Sequence, residues 1–304
     1  MTHHIVHFVT AILWLYPLLN QALGQISEPP KLNYQVASDF FRLPPDEHFV
    51  EPAGVAVNSE GHIYVFHRGK HPLMEFDPSG KFLRSIADDL FVTAHMIRVD
   101  PEDNIWTTDV GSHVVLKLNP DGKVLLALGR MRISGDDVLH FNQPTDVAWD
   151  RDGNVYVADG YGNSRVLKFD KYGRPLLGWG MKGGGAGQFD LPHTIVVDGD
   201  KVYVGDRENA RIQIFDTTGK FLQQWRLGHP YSLSLSPDHF IYMCDAEAGQ
   251  ILKIDLQGKV LGRFVGPQAG EGHHFGPHQI ALAPDGSIYA AEVIGWRAEK
   301  LQLK

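Results

Sequence analysis

Six segments of the chain repeat one grammar, and a repeat of this length leaves few folds open. They begin near residue 49 and read FVEPAGVAVNSEGHIYVFH, FVTAHMIRVDPEDNIWTTD, FNQPTDVAWDRDGNVYVAD, FDLPHTIVVDGDKVYVGD, LGHPYSLSLSPDHFIYMCD and FGPHQIALAPDGSIYAAE. Each has an aromatic or aliphatic lead, usually a proline, then a β-rich run, a turn and a second β-rich run. After each of the first five comes a third apolar run, a short turn such as Pro120-Asp121-Gly122, and a fourth run such as KVLLAL or KFLQQW. Four short alternating strands joined by Gly/Asp turns form one antiparallel blade. The residues after the shared proline, or after Ala94 in its place, are Ala53, His95, Thr145, His193, Tyr231 and His278. Their separations of 42, 50, 48, 38 and 47 residues are those of propeller blades. No stretch keeps a 3.6-residue apolar period, so almost no helix is expected. The last repeat ends after its third strand, at EKLQLK. An outer strand from the N-terminal region, around Val36 to Leu43, is expected to complete that sixth blade and close the ring. The expectation is an all-β, six-bladed β-propeller over 36–304.

What precedes the repeats reads differently. Ile5 to Leu19 is mostly apolar, and Asn20-Gln21 and Ala22-Leu23-Gly24 follow it. That is the pattern of a secretory signal peptide over 1–24, with 25–35 as a linker. About 15 apolar residues containing Pro17 fall short of the roughly 20 that span a bilayer. The protein is therefore expected to be secreted or periplasmic and not stably inserted in a membrane, a retained anchor being the lesser alternative. The single cysteine, Cys244, excludes an internal disulfide and a zinc site built on several thiolates. With 36 acidic against 28 basic residues and a net charge of -8, the chain lacks the basic surplus that nucleic acid demands.

In a propeller the innermost strand of each blade lines the central channel. The column after the proline therefore points toward the axis, and it places His95, His193 and His278 on alternate blades. Three imidazoles converging on one point make a zinc site with an open fourth position, which suits a catalytic or substrate-binding metal. A second column, at the end of each second strand, carries mostly acids that cap turns: Asp109, Asp159, Asp206, Asp245 and Glu292. Arg68, Tyr161 and Arg207 lie at or just beyond it on blades one, three and four, where they can overhang the metal. Two guanidiniums facing a metal suit a carboxylate substrate. A tyrosine among cations is a candidate base. Gly178 to Gly183 satisfies G-x-G-x-x-G, but no helix is expected to open behind it, so it is an inter-blade loop.

With these residues in place, the chain resembles the peptidyl-α-hydroxyglycine α-amidating lyases, the lyase half of the peptide-amidating enzymes, within the wider NHL-repeat propellers. The motifs that carry the resemblance are VFHRGKH, TAHMIRVD, DGYGNSRV, LPHTIVV, GDRENARIQIF and GPHQIALAPDG. It implies a zinc held by His95, His193 and His278, and a substrate site of Arg68, Tyr161 and Arg207. It implies a calcium held by the backbone carbonyls of Val55 and Ile97 together with a carboxylate, but Gln279 stands at the carboxylate position. A neutral amide binds calcium more weakly. Animal members carry cysteines that are missing here, with Gly162 at one such position. The activity implied is cleavage of a peptide or small-molecule carbinolamide with a terminal α-hydroxyglycine into an amide and glyoxylate. Tyr161 would act as base, and Arg68 and Arg207 would hold the carboxylate. A separate monooxygenase is the expected source of that substrate. Two other readings stay open: a non-catalytic NHL propeller that binds a peptide, protein or glycan, and another metal-dependent enzyme acting on a small carboxylate.

Overall fold

The structure, a computed structural model, describes residues 28–267 and 275–304. The expected signal peptide and the start of the linker lie outside them. Every regular element among the described residues is a β-strand. The strands form six four-stranded antiparallel sheets, five of them hydrogen-bonded in simple chain order. Blade one covers 54–85, blade two 94–129, blade three 146–179, blade four 192–225 and blade five 232–265. Blade six joins Gln279–Leu282, Ile288–Glu292 and Arg297–Leu303 to the N-terminal strand Tyr34–Ala37. Tyr34 lies opposite Leu303, and Ala37 opposite Lys300. The first strand of each blade touches the first strands of both neighbouring blades, which closes the ring. The chain is a six-bladed propeller sealed by its N-terminal strand.

That closing strand is shorter than expected and starts earlier. Tyr34 is buried, and Lys31 already bridges to Arg263, so the segment read as linker joins the fold before residue 35. Phe40, Phe41 and Leu43 do not continue the strand. They are apolar without alternation, and they pack instead into the cluster between blades six and one. Phe41 meets Phe76 and Phe49 edge to face at 4.9 and 5.8 Å.

Among the described residues the core is divided. Six apolar clusters each fill one blade–blade interface, from Phe66, Leu73 and Ile97 between blades one and two to Val55, Met74 and Tyr289 between six and one. Outer hairpins share one device. Asp77, Asp170, Asp216 and Asp255 each accept N–H groups two and four residues on through one carboxylate oxygen. The glycine three residues after each sits at φ 82–88°, a conformation that suits only glycine well.

Candidate metal centre

The column acids clip each blade shut at the face that carries the histidines. Asp109 accepts from Val92 and Thr93 N–H, Asp159 from Asn142, Asp206 from Asp190, Asp245 from His229 and Glu292 from Gly276. His67 takes this place in blade one, its Nδ1 accepting from Val50 N–H at 3.2 Å. These residues are structural, as their turn-capping pattern suggested. One or two residues after the clip the chain turns back: Arg68, Tyr161 and Arg207 N–H donate to the carbonyls of Val50, Gln143 and Leu191. All three candidate side chains are thereby fixed at the channel mouth.

The first strands Ala94–Val99 and Pro192–Asp198 carry His95 and His193, while His278 directly precedes Gln279–Leu282. All three imidazoles are buried. Each donates its Nδ1–H to the column residue of the following blade: His95 to Thr145, His193 to Tyr231 and His278 to Ala53, each at 2.6 Å. A carbonyl can only accept, so Nδ1 carries the proton and Nε2 presents its lone pair. This is the outer hydrogen bond that orients metal-ligating histidines. The ring centroids stand 4.7–5.0 Å apart, and the ligand atoms lie within 4.8 Å of one another. Tyr161 Oη is 3.2 Å from Nε2 of both His95 and His193. Nε2 of His278 is buried without a partner. An orphaned lone pair facing two others is costly unless something binds there. The cluster fits a metal ion.

Electrostatics agree. Burial, then the neighbouring His278 and the guanidiniums of Arg68 and Arg207, hold His95 well below the ordinary imidazole range. Burial and His95 do the same for His193, and burial brings His278 down to about 4. All three are neutral at physiological pH, the state in which an imidazole can bind a metal. Both arginines thus act on the site through space. Arg207 stands 4.8 Å from the Tyr231 ring and 5.7 Å from that of Tyr161, and its guanidinium pairs with Glu208 at 2.8 Å. Arg68 donates to Ala94 carbonyl at 3.2 Å and pairs with Glu51 at 2.8 Å.

One layer deeper, the side chains next along the strands close the channel. Gln279 Oε1 accepts from Val55 and Ile97 N–H at 3.2 and 3.1 Å, and its Nε2 donates to Ile97 carbonyl at 2.7 Å. Asp146 accepts from Ile195 N–H, Thr194 from Leu233 N–H and Ser232 from Ile280 N–H. Arg98 crosses the channel to Asp146 and to the Leu233 carbonyl. The carbonyl of Ile97, which the resemblance assigns to calcium, is thus taken by an amide N–H. These residues do not fit a cation at that point. Sequence reading noticed Gln279 only through the resemblance and missed Asp146, Thr194 and Ser232. Their signal was a polar residue directly after the histidine column in four repeats.

Comparison with known proteins matches the NHL repeat to residues 141–169 and 189–215, the first three strands of blades three and four. Peptidyl-glycine alpha-amidating monooxygenase A of Xenopus laevis is 37% identical over 185 residues, covering 55% of this chain and 20% of that protein. A probable peptidyl-alpha-hydroxyglycine alpha-amidating lyase of Caenorhabditis elegans is 33% identical over 199 residues, 59% of this chain and 55% of that one. The matched region thus spans between a fifth and about half of these relatives. Among solved structures, a streptogramin B lyase superposes at TM-score 0.67 and 16% identity, over 90% of this chain and 98% of that one. A gluconolactonase of Xanthomonas campestris gives 0.66 and 14%, over 91% and 95%. At such identities these two speak for the fold alone.

Proposed function

We propose that this NHL-repeat six-bladed propeller, which is related to the peptidylglycine α-amidating lyases and monooxygenases, is a metal-dependent lyase cleaving peptidyl-α-hydroxyglycine or a similar carbinolamide to an amide and glyoxylate. The observation that carries the reading is the convergence of three Nε2 lone pairs with a tyrosine hydroxyl and two guanidiniums at one channel mouth. His95, His193 and His278 would hold zinc, which suits three neutral imidazoles and an open position. When bound, the metal supplies Lewis-acid polarisation of a substrate oxygen.

The remaining chemistry falls to this chain's side chains. Arg68 and Arg207 grip the carboxylate, each exchanging part of its pairing with Glu51 or Glu208 for the substrate. Tyr161 Oη, acting as the phenolate, takes the proton of the carbinol hydroxyl and hands it on to the departing amide nitrogen. The oxygen's electron pair forms the aldehyde carbonyl, the C–N bond breaks, and its pair passes to the amide nitrogen, which is protonated. No redox cofactor or nucleophile takes part. The apolar stretch at 5–19 supports export, and a separate monooxygenase supplies the hydroxylated substrate.

α-Hydroxyhippurate tests this reading, since it presents the hydroxyl, amide nitrogen and carboxylate together. The purified protein should carry about one zinc and release benzamide and glyoxylate. His95→Ala, His193→Ala and His278→Ala should each lose most of the metal. A zinc-replete protein that yields no glyoxylate would overturn the lyase assignment.

A further inference from the structure

Beside the histidines, between blades five and six, a cavity of about 500 Å³ opens on the same face of the ring. Two residues of the channel column, Tyr231 and His278, stand in its wall, with Ala246 and Glu247 from blade five and Val293 and Ile294 from blade six. His278 is the imidazole that Tyr161 does not touch, and its unpartnered Nε2 marks the open side of the ligand point. Elsewhere around the mouth stand Arg68 on blade one, Tyr161 on blade three and Arg207 on blade four. A second cavity, of about 270 Å³, lies deeper in the channel among Arg98, Gln279 and the far ends of the first strands. The Gln279 and Asp146 layer separates it from the imidazoles.

A carbinolamide bound with its carboxylate on a guanidinium and its reacting carbon at the imidazoles must send its acyl group outward. The cavity on the open side is where that group has room. Its wall is mixed in a telling way. Ile294 is 94% exposed at its rim and Val293 is half-buried beside it, so an apolar acyl group would cover surface now in water. Glu247, which accepts from Tyr231 Oη at 3.4 Å, sets a negative charge on the blade-five side. On the blade-six side Arg297 is neutralised by its pair with Glu292 at 2.7 Å. We infer that this cavity is the acyl subsite, and that Val293, Ile294 and Glu247 make the protein select apolar, non-anionic acyl groups. The inference rests on the lyase reading and adds to it which amides are made.

Two measurements test it on the full, metal-loaded chain. The first compares turnover of benzoyl-, acetyl- and succinyl-α-hydroxyglycine. The benzoyl substrate should exceed the acetyl one in kcat/KM by about tenfold or more, and the anionic succinyl one should be poorest. Ile294→Ser should cut the benzoyl-to-acetyl ratio about fivefold, and Glu247→Gln should raise the succinyl substrate relative to acetyl. Ile133→Ser, an exposed apolar position on the connection from blade two to blade three, should leave both ratios unchanged. The second measures binding of hippurate and acetylglycine by calorimetry, which needs no turnover. Hippurate should bind more tightly, and Ile294→Ser should narrow the gap. Equal binding of the two, or ratios indifferent to both cavity variants, would overturn the subsite. No glyoxylate from any substrate, with the hippurate preference intact, would instead sink the lyase reading alone.

Discussion

Tyr161 touches two imidazoles through one oxygen, so a single atom separates its packing from its chemistry. Tyr161→Phe keeps the ring that edges His95 and His193 at 5.2 and 5.7 Å. Zinc content should stay at the wild-type level, while turnover falls by about 10²-fold or more, the usual scale for a lost general base. Undiminished turnover in that variant would place the base elsewhere. Gln279 makes a second single-atom test. Replacing it by Glu turns the donating Nε2 into an oxygen facing the Ile97 carbonyl, which now accepts at 2.7 Å. Two acceptors cannot share that contact without a proton or cation between them. Gln279→Glu should therefore melt lower than wild type and recover on adding calcium. Wild type should be indifferent to a calcium-selective chelator, and a large reversible drop in its melting temperature would contradict the amide's role. At this scale the histidine column was legible because it repeats at blade spacing. The layer beneath it was not: which backbone N–H a polar side chain finds depends on how the neighbouring blade is rotated, and no repeat records that.

Single strands and turns were the most legible elements, because an Asp or Asn followed by glycine dictates a tight hairpin locally. Asp100 shows the same device carried further. Its carboxylate accepts from Glu102 and Asn104 N–H, from the Trp106 indole at 3.0 Å and from Lys117 Nζ at 2.8 Å. Burial works to raise this carboxyl, but the Lys117 and Trp106 donors outweigh it, and the group is held below its usual range. A carboxyl lowered on folding adds stability that is complete above its unfolded value and is lost as pH falls through the folded one. Asp100→Asn should cost about 2 kcal/mol at neutral pH. The gap to wild type should close as pH drops below the carboxylate range. A gap that stayed constant down to pH 2, measured by denaturant melts, would show that packing and not charge is responsible. The closing strand was less legible in its extent. Burial of Tyr34 and the apolar run Phe40–Phe41 decided its ends, and neither follows from alternation.

For the whole molecule, six interface clusters in place of one core mean that stability rests on closure. Tyr34 anchors the closing strand: it meets Phe264 edge to face at 6.3 Å and donates from its hydroxyl to Gly286 carbonyl at 3.0 Å. Tyr34→Ala should cost about 3 kcal/mol, the scale of a buried aromatic truncation. Hydrogen exchange should then quicken first in Arg297–Leu303, the strand it covers. Uniform quickening across all six blades would mean that the ring opens as a unit. The cavity between blades five and six belongs to this scale as well. It is built from loops of two blades and a column residue of each, so no contiguous motif announces it.

The three imidazole-to-carbonyl bonds have a consequence for how the ring and the ion depend on each other. They join blade two to three, four to five and six to one, so together the ligands reach every blade, including blade six, which the N-terminal strand completes. An ion held there acts as a keystone. Loosening any of those three seams misaims a ligand, and gripping the ion tightens all three at once. By linkage, free ion at about a hundred times its dissociation constant adds roughly 2.7 kcal/mol to the closed ring. Ion affinity then becomes a gauge of closure, readable at a site some distance from the seam that failed.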